Sequence, residues 1–280
     1  RVNYLSALGW PNEDAPRMRS WPADVHLIGK DILRFHAVYW PALLMAAGLP
    51  LPKRIFAHGW WTVEGEKMSK SKGNALKPEE LLREYEADVL RYFLLREAAF
   101  GDDADFSARA IRARYETELA NDIGNLLQRT LAMLARYRNR TLPAPGSEED
   151  QDRALIAEVE HTWERVDRAM DRLQFHLALE AIHALARAGN RYVERNAPWE
   201  LAKAQSPRLD TVLFHLVELC RHVAVLLSPF MPVKAGMMLA QIMDAPVDVN
   251  ALSAAHDGGW GKLAPGHRCA KPQPVFPKLG

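Results

Sequence analysis

The strongest constraint on the fold is the helical spacing of apolar residues, which persists from Ser107 almost to residue 243. One stripe consists of Tyr115, Leu119, Ile123, Leu126, Leu127, Leu131 and Leu134, and another of Leu155, Val159, Trp163, Val166, Met170 and Leu173. Segments with the same period span roughly 175–193, 208–227 and 233–243. Recurrence every three or four residues is typical of helices with one buried face. Several such helices bury these faces against one another, so the pattern predicts an α-helical bundle.

The first 65 residues have a different pattern. Val25–Ile28 is a short apolar run that ends at Gly29, and residues 55–63 form a second run. Between them, residues 31–47 have a helical period, with Ile32, Phe35, His36, Tyr39 and Leu43 on one face. Strand, helix and strand in this order predict a parallel α/β sheet. The predicted fold is therefore an α/β part followed by an all-α bundle.

Composition excludes several classes of protein. Of the 280 residues, 48% are hydrophobic and 25% are charged, which is ordinary for a globular protein. The formal net charge of +1 does not by itself predict nucleic-acid binding. The two cysteines, Cys220 and Cys269, indicate neither a zinc knuckle nor a disulfide framework, and fit a reducing cytoplasm. We expect neither a signal peptide nor a membrane span, because no apolar run in these residues is long enough for a span.

A lysine-rich string, E-K-M-S-K-S-K-G-N, occupies residues 66–74. Lysine is a compact charge on a flexible stem, suited to a phosphate group that moves during a reaction. Attack on the α-phosphorus of a triphosphate builds charge on the leaving pyrophosphate, which mobile lysines can stabilise in the transition state. The simpler interpretation of three lysines alone is a solvated basic hairpin.

The string K-M-S-K-S at 67–71 resembles the signature loop of class I aminoacyl-tRNA synthetases. The segments I-G-K-D-I-L-R-F-H at 28–36, Y-W-P at 39–41 and F-A-H-G-W-W at 56–61 resemble the methionyl-tRNA synthetase family. The resemblance implies a Rossmann-like catalytic domain that uses ATP with its bound Mg²⁺, methionine and the methionine tRNA, with no metal held by this segment. It implies catalytic roles for Lys67 and Lys70, ATP contacts for Gly29, Asp31, Lys67, Met68, Ser69, Lys70 and Ser71, and methionine contacts for Tyr4, Ile32, Phe35 and His36.

Physical chemistry agrees with these roles but leaves alternatives open. The polarizable thioether of methionine favours aromatic surroundings, and Ile32, Phe35 and His36 share a helix face. Taken alone, Ile32 and Phe35 could be core residues, and His36 could be a structural histidine. Asp31 could simply cap its helix. Only the joint pattern, ahead of the lysine string, favours a binding site.

A basic segment and a later tryptophan point to RNA. Residues 107–140 contain seven arginines and three acids, a local balance of +4. Asn125 and Arg129 share one side of a helix, and Trp199 follows Pro198 at a helix start, where an indole can stack on a base. In the family that these residues resemble, they contact the anticodon. The alternatives are a solvated basic face for the arginines and a buried packing residue for Trp199.

The resemblance implies four regions: residues 1–74, the C-terminal half of the catalytic domain; 75–114, a connecting helical region; 115–250, the anticodon-binding domain; and 251–280, a tail packing on the body. The H-x-G-H signature of class I synthetases is absent from these residues, and the chain starts at Arg1. We therefore expect a monomeric fragment that is inactive alone. The competing hypotheses are a non-catalytic tRNA-binding module and a class I synthetase for cysteine, leucine or valine.

Overall fold

The computed structural model describes residues 2–67 and 78–278, which form two compact units. The first unit contains residues 2–67 together with the segment Phe100–Phe106, and the second contains residues 78–99 and 107–278. The chain therefore leaves the first unit, enters the second, returns for one short strand and then completes the second.

The first unit combines short strands with helical segments. In chain order these are α1 (Val2–Leu8), a 3₁₀ segment (Pro16–Ser20), β1 (His26–Gly29), a 3₁₀ turn (Lys30–Ile32), a π-helical segment (Phe35–Tyr39), α2 (Trp40–Ala46), β2 (Ile55–His58), β3 (Trp61–Val63) and β4 (Glu66–Lys67). The later strand β5 (Ala104–Phe106) also belongs to this unit. Its apolar core is small, with Leu5, Trp40 and Leu44 buried together and Trp10 and Trp21 packed against them.

The predicted strand–helix–strand arrangement is confirmed. Strands β1 and β2 pair in parallel, with Gly29 opposite His58. The apolar run at 55–63 is not one strand, however, because it breaks at Gly59 into β2 and β3, which belong to different sheets. A Cβ atom on Gly59 would lie 2.1 Å from the backbone oxygen of Asp102, so another chain segment passes directly over this glycine. The sequence-based boundary was wrong for this reason.

Strand β5 is also absent from the sequence-based prediction, which assigned residues 75–114 to a helical connection. It pairs in parallel with β3, which pairs antiparallel with β4 on its other side. Its sequence, Ala104-Asp105-Phe106, has little intrinsic preference for a strand because aspartate is depleted in strands. Pairing with β3 therefore determines its conformation.

The predicted helix at 31–47 is present, but its apolar stripe does not form the core. The segment starts as a 3₁₀ turn, continues as a π-helical segment and becomes regular only in α2. Trp40 and Leu44 are buried, whereas Tyr39 and Leu43 are exposed. The 3₁₀ and π-helical turns do not have the α-helical period on which the predicted stripe was based. The buried face of this helix therefore carries Trp40 and Leu44 and not the predicted stripe.

The second unit is an α-helical bundle, as the spacing predicts. Its elements are α3 (Pro78–Glu84), α4 (Ala87–Arg96), α5 (Ala108–Arg114), a π-helical segment (Tyr115–Gly124), α6 (Asn125–Arg138), α7 (Asp150–Asp171), α8 (Phe175–Asn196), α9 (Pro198–Lys203), α10 (Arg208–Leu227), α11 (Pro232–Met243), a 3₁₀ turn (Val249–Ala251) and α12 (Ala254–Asp257). Helix α10 lies at the centre, because nearly all of its side chains are buried. None of the helices in the described part of the chain combines the length and apolar composition needed to cross a membrane.

The last residues of the described chain lie against this bundle. The fully buried carboxylate of Glu218 on α10 accepts hydrogen bonds from the backbone amides of Gly261 and Lys262, at 2.9 and 3.0 Å. Further along, Cys269 donates its amide to the backbone oxygen of Arg140, and Phe276 is buried. Residues 257–276 therefore form part of the bundle surface.

Candidate functional site

The carboxyl ends of β1 and β2 lie side by side and carry the first group of predicted site residues. Gly29 ends β1 opposite His58, which ends β2, and Asp31 follows in the next turn. A Cβ atom on Gly29 would lie 2.5 Å from the Asp31 carboxylate oxygen Oδ1, so only glycine lets this carboxylate fold back over the strand end. Crevices at the carboxyl ends of parallel strands are the usual ligand sites of α/β sheets. His58 is a site candidate that the sequence analysis did not single out.

An aromatic cluster lies beside β1 and includes two of the predicted methionine-contact residues. The Tyr4 ring centroid is 5.6 Å from that of Trp21 and 5.8 Å from that of His26, and His26 is 6.3 Å from His36. The structure thus brings Tyr4 and His36 each within contact distance of His26. Trp21 and His26 belong to no motif quoted above and were not among the predicted site residues.

Two buried polar atoms in this aromatic cluster have no hydrogen-bond partner among the described residues. They are the indole Nε1 of Trp21 and the imidazole Nε2 of His26. Leaving a buried donor or acceptor unpaired is costly, and such atoms call for a water molecule or a ligand. Burial lowers the pKa of His26, and the neighbouring His36 lowers it further, so His26 is a neutral group in this cluster.

The other two predicted methionine-contact residues, Ile32 and Phe35, are not core residues. They are 37% and 47% exposed, and Phe35 packs edge-on against Tyr39 at 5.5 Å. The imidazole Nδ1 of His36 lies 3.0 Å from the backbone oxygen of Ile32. Neither side chain is buried within the described residues, so both surfaces are open to a ligand or to another polypeptide segment.

Two aspartates on the segment 100–106 hold the strand ends in place. Asp103 accepts hydrogen bonds from Lys30 Nζ at 2.5 and 2.7 Å and from the backbone amide of Trp60 at 2.8 Å. The Lys30 ammonium also lies 4.1 Å from the centroid of the Trp60 ring. The Lys30 contact is the main reason that the pKa of Asp103 is lowered. Lys30, between Gly29 and Asp31, is thus tied to the β2–β3 junction.

Asp105 makes equivalent contacts at the hairpin that precedes the lysine string. Its Oδ1 atom accepts hydrogen bonds from the Thr62 hydroxyl at 2.5 Å and from the amide of Gly65 at 2.7 Å. These bonds lower the pKa of Asp105 and keep it ionised. The segment 103–105 therefore contacts both regions that were predicted to bind ATP: Asp103 binds Lys30, and Asp105 binds the hairpin before the lysine string. The predicted residues Met68, Ser69, Lys70 and Ser71 lie outside the described residues, and of Lys67 only the backbone, in β4, is described.

In the second unit, two of the three predicted RNA-contact residues lie together. The guanidinium carbon of Arg129, on α6, is 5.8 Å from the ring centroid of Trp199, on α9, within range for a cation–π contact. Arg129 also forms an ion pair with Glu194 on α8, with an N–O distance of 2.7 Å. Trp199 is 39% exposed and so is not the buried packing residue of the alternative reading. Asn125 is exposed at the start of α6, one turn before Arg129.

Pairing reduces the positive charge expected for residues 107–140. Four of the seven arginines form ion pairs, which are Arg112 with Glu116, Arg114 with Glu97, Arg129 with Glu194, and Arg138 with Asp210. Arg114 also binds the buried Glu118. Three of these acids lie outside the segment, so the local balance of +4 overstated the available charge. Helix packing, which the sequence does not reveal, brings the partners together.

Neither metal nor disulfide chemistry is indicated for the described residues. Among residues 2–67 and 78–278, no group of three or more histidine, cysteine or acidic side chains is arranged to bind a metal ion. Cys220 and Cys269 are free and buried, and burial raises the pKa of each thiol to about 12. Both cysteines are therefore unreactive core residues.

Comparison with known proteins covers almost the entire chain. A family model described as "tRNA synthetases class I (M)" matches residues 1–131, and one described as "Anticodon binding domain of methionyl tRNA ligase" matches residues 142–280. The methionine–tRNA ligase of Brucella melitensis is 46% identical over 277 residues, which cover 99% of this chain and 53% of that protein. That of Mycobacterium tuberculosis is 46% identical over 282 residues, with the same coverage of 99% and 53%.

Solved structures give the same result. Mycobacterium tuberculosis methionyl-tRNA synthetase in complex with methionyl-adenylate superimposes with a TM-score of 0.91 at 45% identity, covering 99% of this chain and 54% of that one. Its apo form superimposes with a TM-score of 0.90 at 42% identity, covering 100% and 54%. The chain thus spans about half the length of the relatives it matches. It belongs to the methionyl-tRNA synthetase family of class I aminoacyl-tRNA synthetases.

Proposed function

We propose that this chain is part of a methionine–tRNA ligase that activates methionine with ATP and transfers it to the methionine tRNA. The observation that carries the proposal is the position of Gly29 and Asp31 at the carboxyl edge of the β1–β2 pair, beside the aromatic cluster of Tyr4, Trp21, His26 and His36. A nucleotide and an apolar amino acid can both be bound at such an edge.

The aromatic cluster suits the methionine side chain. A thioether is polarizable and favours contact with ring edges, and Tyr4 and His36 supply such surfaces next to Ile32 and Phe35. The unpaired Trp21 Nε1 and His26 Nε2 atoms give the site polar groups that an aliphatic side chain would leave unsatisfied. A sulfur atom is a weak acceptor and can meet an indole N–H, which favours methionine over leucine or valine.

For the activation step, we propose that a methionine carboxylate oxygen attacks the α-phosphorus of ATP while the bond to pyrophosphate breaks. Asp31 accepts hydrogen bonds from the ribose hydroxyls, and Gly29 gives the nucleoside room to approach. Lys67 and Lys70 stabilise the charge that grows on the departing pyrophosphate, and Met68, Ser69 and Ser71 also contact ATP. ATP enters with its own Mg²⁺ as part of the substrate. Asp103 and Asp105 support this arrangement by holding the strand ends and the hairpin.

Exposed apolar surface supports the view that the first unit is half of a catalytic domain. Most of the large apolar side chains that are exposed in the described residues belong to this unit, including Leu27, Phe35, Val38, Leu43 and Met45. Where such side chains form a patch, they mark an interaction site. A further catalytic segment packed on it would complete the ATP site, since the 280 residues contain no H-x-G-H string.

For the second substrate, we propose that Asn125, Arg129 and Trp199 bind the CAU anticodon. The exposed Trp199 indole offers a stacking surface, and the Arg129 guanidinium beside it can bind a base edge or stack on it. We further propose a cytoplasmic monomer. The two buried free thiols support a reducing compartment. Light scattering tests the monomer, because the molar mass measured in solution should equal that of a single chain.

The decisive experiment for catalysis is methionine-dependent exchange between ATP and labelled pyrophosphate. It is performed on the complete polypeptide in which these 280 residues occur, with leucine, valine and cysteine as competing amino acids. The proposal expects exchange with methionine and much slower exchange with the others. A protein that binds tRNA without any exchange would be the non-catalytic RNA-binding module instead, and exchange specific for another amino acid would identify a different synthetase.

The anticodon site is tested by the binding of a labelled anticodon stem-loop to the Trp199→Ala variant. Loss of one stacked base costs about 1–3 kcal/mol, which corresponds to about a 5- to 150-fold weaker affinity. The conservative variant Trp199→Phe keeps a stacking surface and should retain most of the affinity. Wild type should bind the same stem-loop with an altered anticodon weakly, and neither substitution should change that affinity much. Unchanged CAU affinity in Trp199→Ala would remove this residue from the site.

A further inference from the structure

Three arginines form a ladder along the exposed side of α8. Arg187, Arg191 and Arg195 are all exposed and are separated by four residues each. At this spacing, successive side chains project from the same face about 6 Å apart along the helix axis. None of the three has an ion-pair partner in the described part of the chain. This contrasts with residues 107–140, where most arginines are paired.

The acids closest to the ladder along the chain and across α7 have other partners. Glu194 binds Arg129 at 2.7 Å, and Glu180 lies 3.8 Å from Arg96. On α7, Glu158 binds Arg165 at 2.5 Å. Because these carboxylates are satisfied by other cations, the ladder keeps its positive charge. Its field faces solvent, where it can attract an anionic ligand.

A shallow groove runs beside the ladder between α7 and α8. It has a volume of about 280 Å³, and its lining includes Arg191 and Arg195 together with Gln151 and Glu158. The Glu158 carboxylate in this lining is the one paired with Arg165. The floor between them is made of small side chains, Ala154, Ala184 and Ala188. Small residues let a ligand backbone come close to the helix, while the two guanidinium groups supply hydrogen-bond donors at the edge.

The ladder continues directly into the proposed anticodon site. Helix α8 ends at Asn196, and Trp199 follows in the next helix after a single left-handed residue, Ala197. Glu194, which holds Arg129 beside Trp199, is on the same last turns of α8 as Arg195. A nucleic acid whose loop bases reach Trp199 can extend its adjacent backbone along α8 toward Arg195, Arg191 and then Arg187.

We infer that Arg187, Arg191 and Arg195 bind consecutive phosphates of the anticodon arm of the tRNA, next to the base-contacting site. This rests on the proposed tRNA binding and extends it to the phosphate backbone. Arginine suits this role better than lysine because its planar guanidinium binds two phosphate oxygens at once. The contacts add affinity and fix the orientation of the arm, and they are independent of the anticodon sequence.

The test uses the 280-residue chain, fluorescently labelled anticodon stem-loops with CAU or an altered anticodon, and a DNA duplex of equal length. The variant Arg191→Gln/Arg195→Gln removes two ladder charges and keeps good helix-forming residues. The matched control Arg168→Gln/Arg172→Gln removes two charges from exposed arginines at the far end of α7. Kd is measured between 50 and 200 mM salt, with circular dichroism to verify folding.

Each lost phosphate contact lowers the magnitude of the slope of log K against log salt by about 0.7 to 0.9. The slope of the ladder variant, which loses two contacts, should therefore be smaller than that of wild type by about 1.4 to 1.8. Salt weakens binding of both proteins. Between 50 and 200 mM salt, the factor by which Kd rises should be about 7 to 12 times smaller for the ladder variant than for wild type. Both stem-loops should be affected equally, the control variant should match wild type, and Arg187→Gln should lower the slope by about half as much as the double variant.

The outcomes separate this inference from the proposed anticodon site. A ladder variant with the slope of wild type, or a control variant with the same loss, would overturn the inference. Equal losses of affinity for the DNA duplex would also overturn it, because the surface would then be a general polyanion patch. If the ladder variant behaves as expected while Trp199→Ala leaves CAU binding unchanged, the phosphate contacts stand and the anticodon assignment fails.

Discussion

Asp152 is a buried charge that supports the end of the bundle that carries Trp199. Its side chain is fully buried at the start of α7, and it accepts hydrogen bonds from the Arg208 guanidinium, the Tyr192 hydroxyl and the Glu149 amide. Arg208 also donates to Asn196 at 3.2 Å. Because Asn196 is the last residue of α8, this network holds the turn that presents Trp199.

The magnitude of this contribution follows from the pKa. Hydrogen bonds from Arg208 and Tyr192 outweigh burial and lower the pKa of Asp152 from 3.8 to about 2. A carboxylate with a depressed folded-state pKa stabilises the protein above its unfolded pKa, and this stabilisation is lost as the pH falls through the folded pKa. The contribution is about 2 kcal/mol at pH 7, about 1 kcal/mol at pH 3 and well below about 1 kcal/mol at pH 2.

The variant Asp152→Asn should therefore be less stable than wild type by about 2–3 kcal/mol at pH 7, and the difference should shrink steadily below pH 4. The assay is urea unfolding of both proteins at pH 7, 4, 3 and 2, followed by circular dichroism at a helix band. Asp150→Asn, on the exposed side of the same helix turn, serves as the matched control and should change stability little. A stability difference that is the same at pH 7 and pH 2 would refute the reasoning, because the loss would then come from packing and not from the ionised carboxylate.

Two other substitutions test features of the first unit. In the complete polypeptide, Lys70→Ala should slow methionyl-adenylate formation by about a hundredfold or more in single-turnover assays while methionine affinity stays nearly the same; loss of methionine binding would contradict the role assigned to this lysine. Gly59→Ala places a Cβ atom 2.1 Å from the Asp102 oxygen and should destabilise the first unit by about 1–3 kcal/mol in thermal unfolding followed by tryptophan fluorescence. Gly236→Ala, inside α11 with no atom closer than 3.4 Å, is its control, and equal effects of the two would show that the close approach at Gly59 is unimportant.

The amino-acid sequence alone was sufficient for the bundle helices and for the family. The period predicted helices near 175–193, 208–227 and 233–243, and the structure has Phe175–Asn196, Arg208–Leu227 and Pro232–Met243. This works because a helix is a local structure, and its buried stripe is visible within a short window of sequence. The K-M-S-K-S string and the segment 28–36 led to the methionyl-tRNA synthetase family, which the comparisons confirm.

Features that depend on distant partners were decided only by the tertiary structure. Gly59 divides a continuous apolar run because residues 102 and 103 pass over it, and β5 is a strand because β3 pairs with it. Trp21 and His26 join the Tyr4–His36 cluster through side-chain packing that no motif records.

Charge shows the same dependence on tertiary structure. The arginines at 107–140 and those on α8 look alike in sequence. Four of the first group are paired, three of them with the distant acids Glu97, Glu194 and Asp210, whereas Arg187, Arg191 and Arg195 have no ion-pair partner among the described residues. Net charge counted along the chain ignores these pairings, because Coulomb interactions act between atoms that are close in space and not between neighbours in sequence.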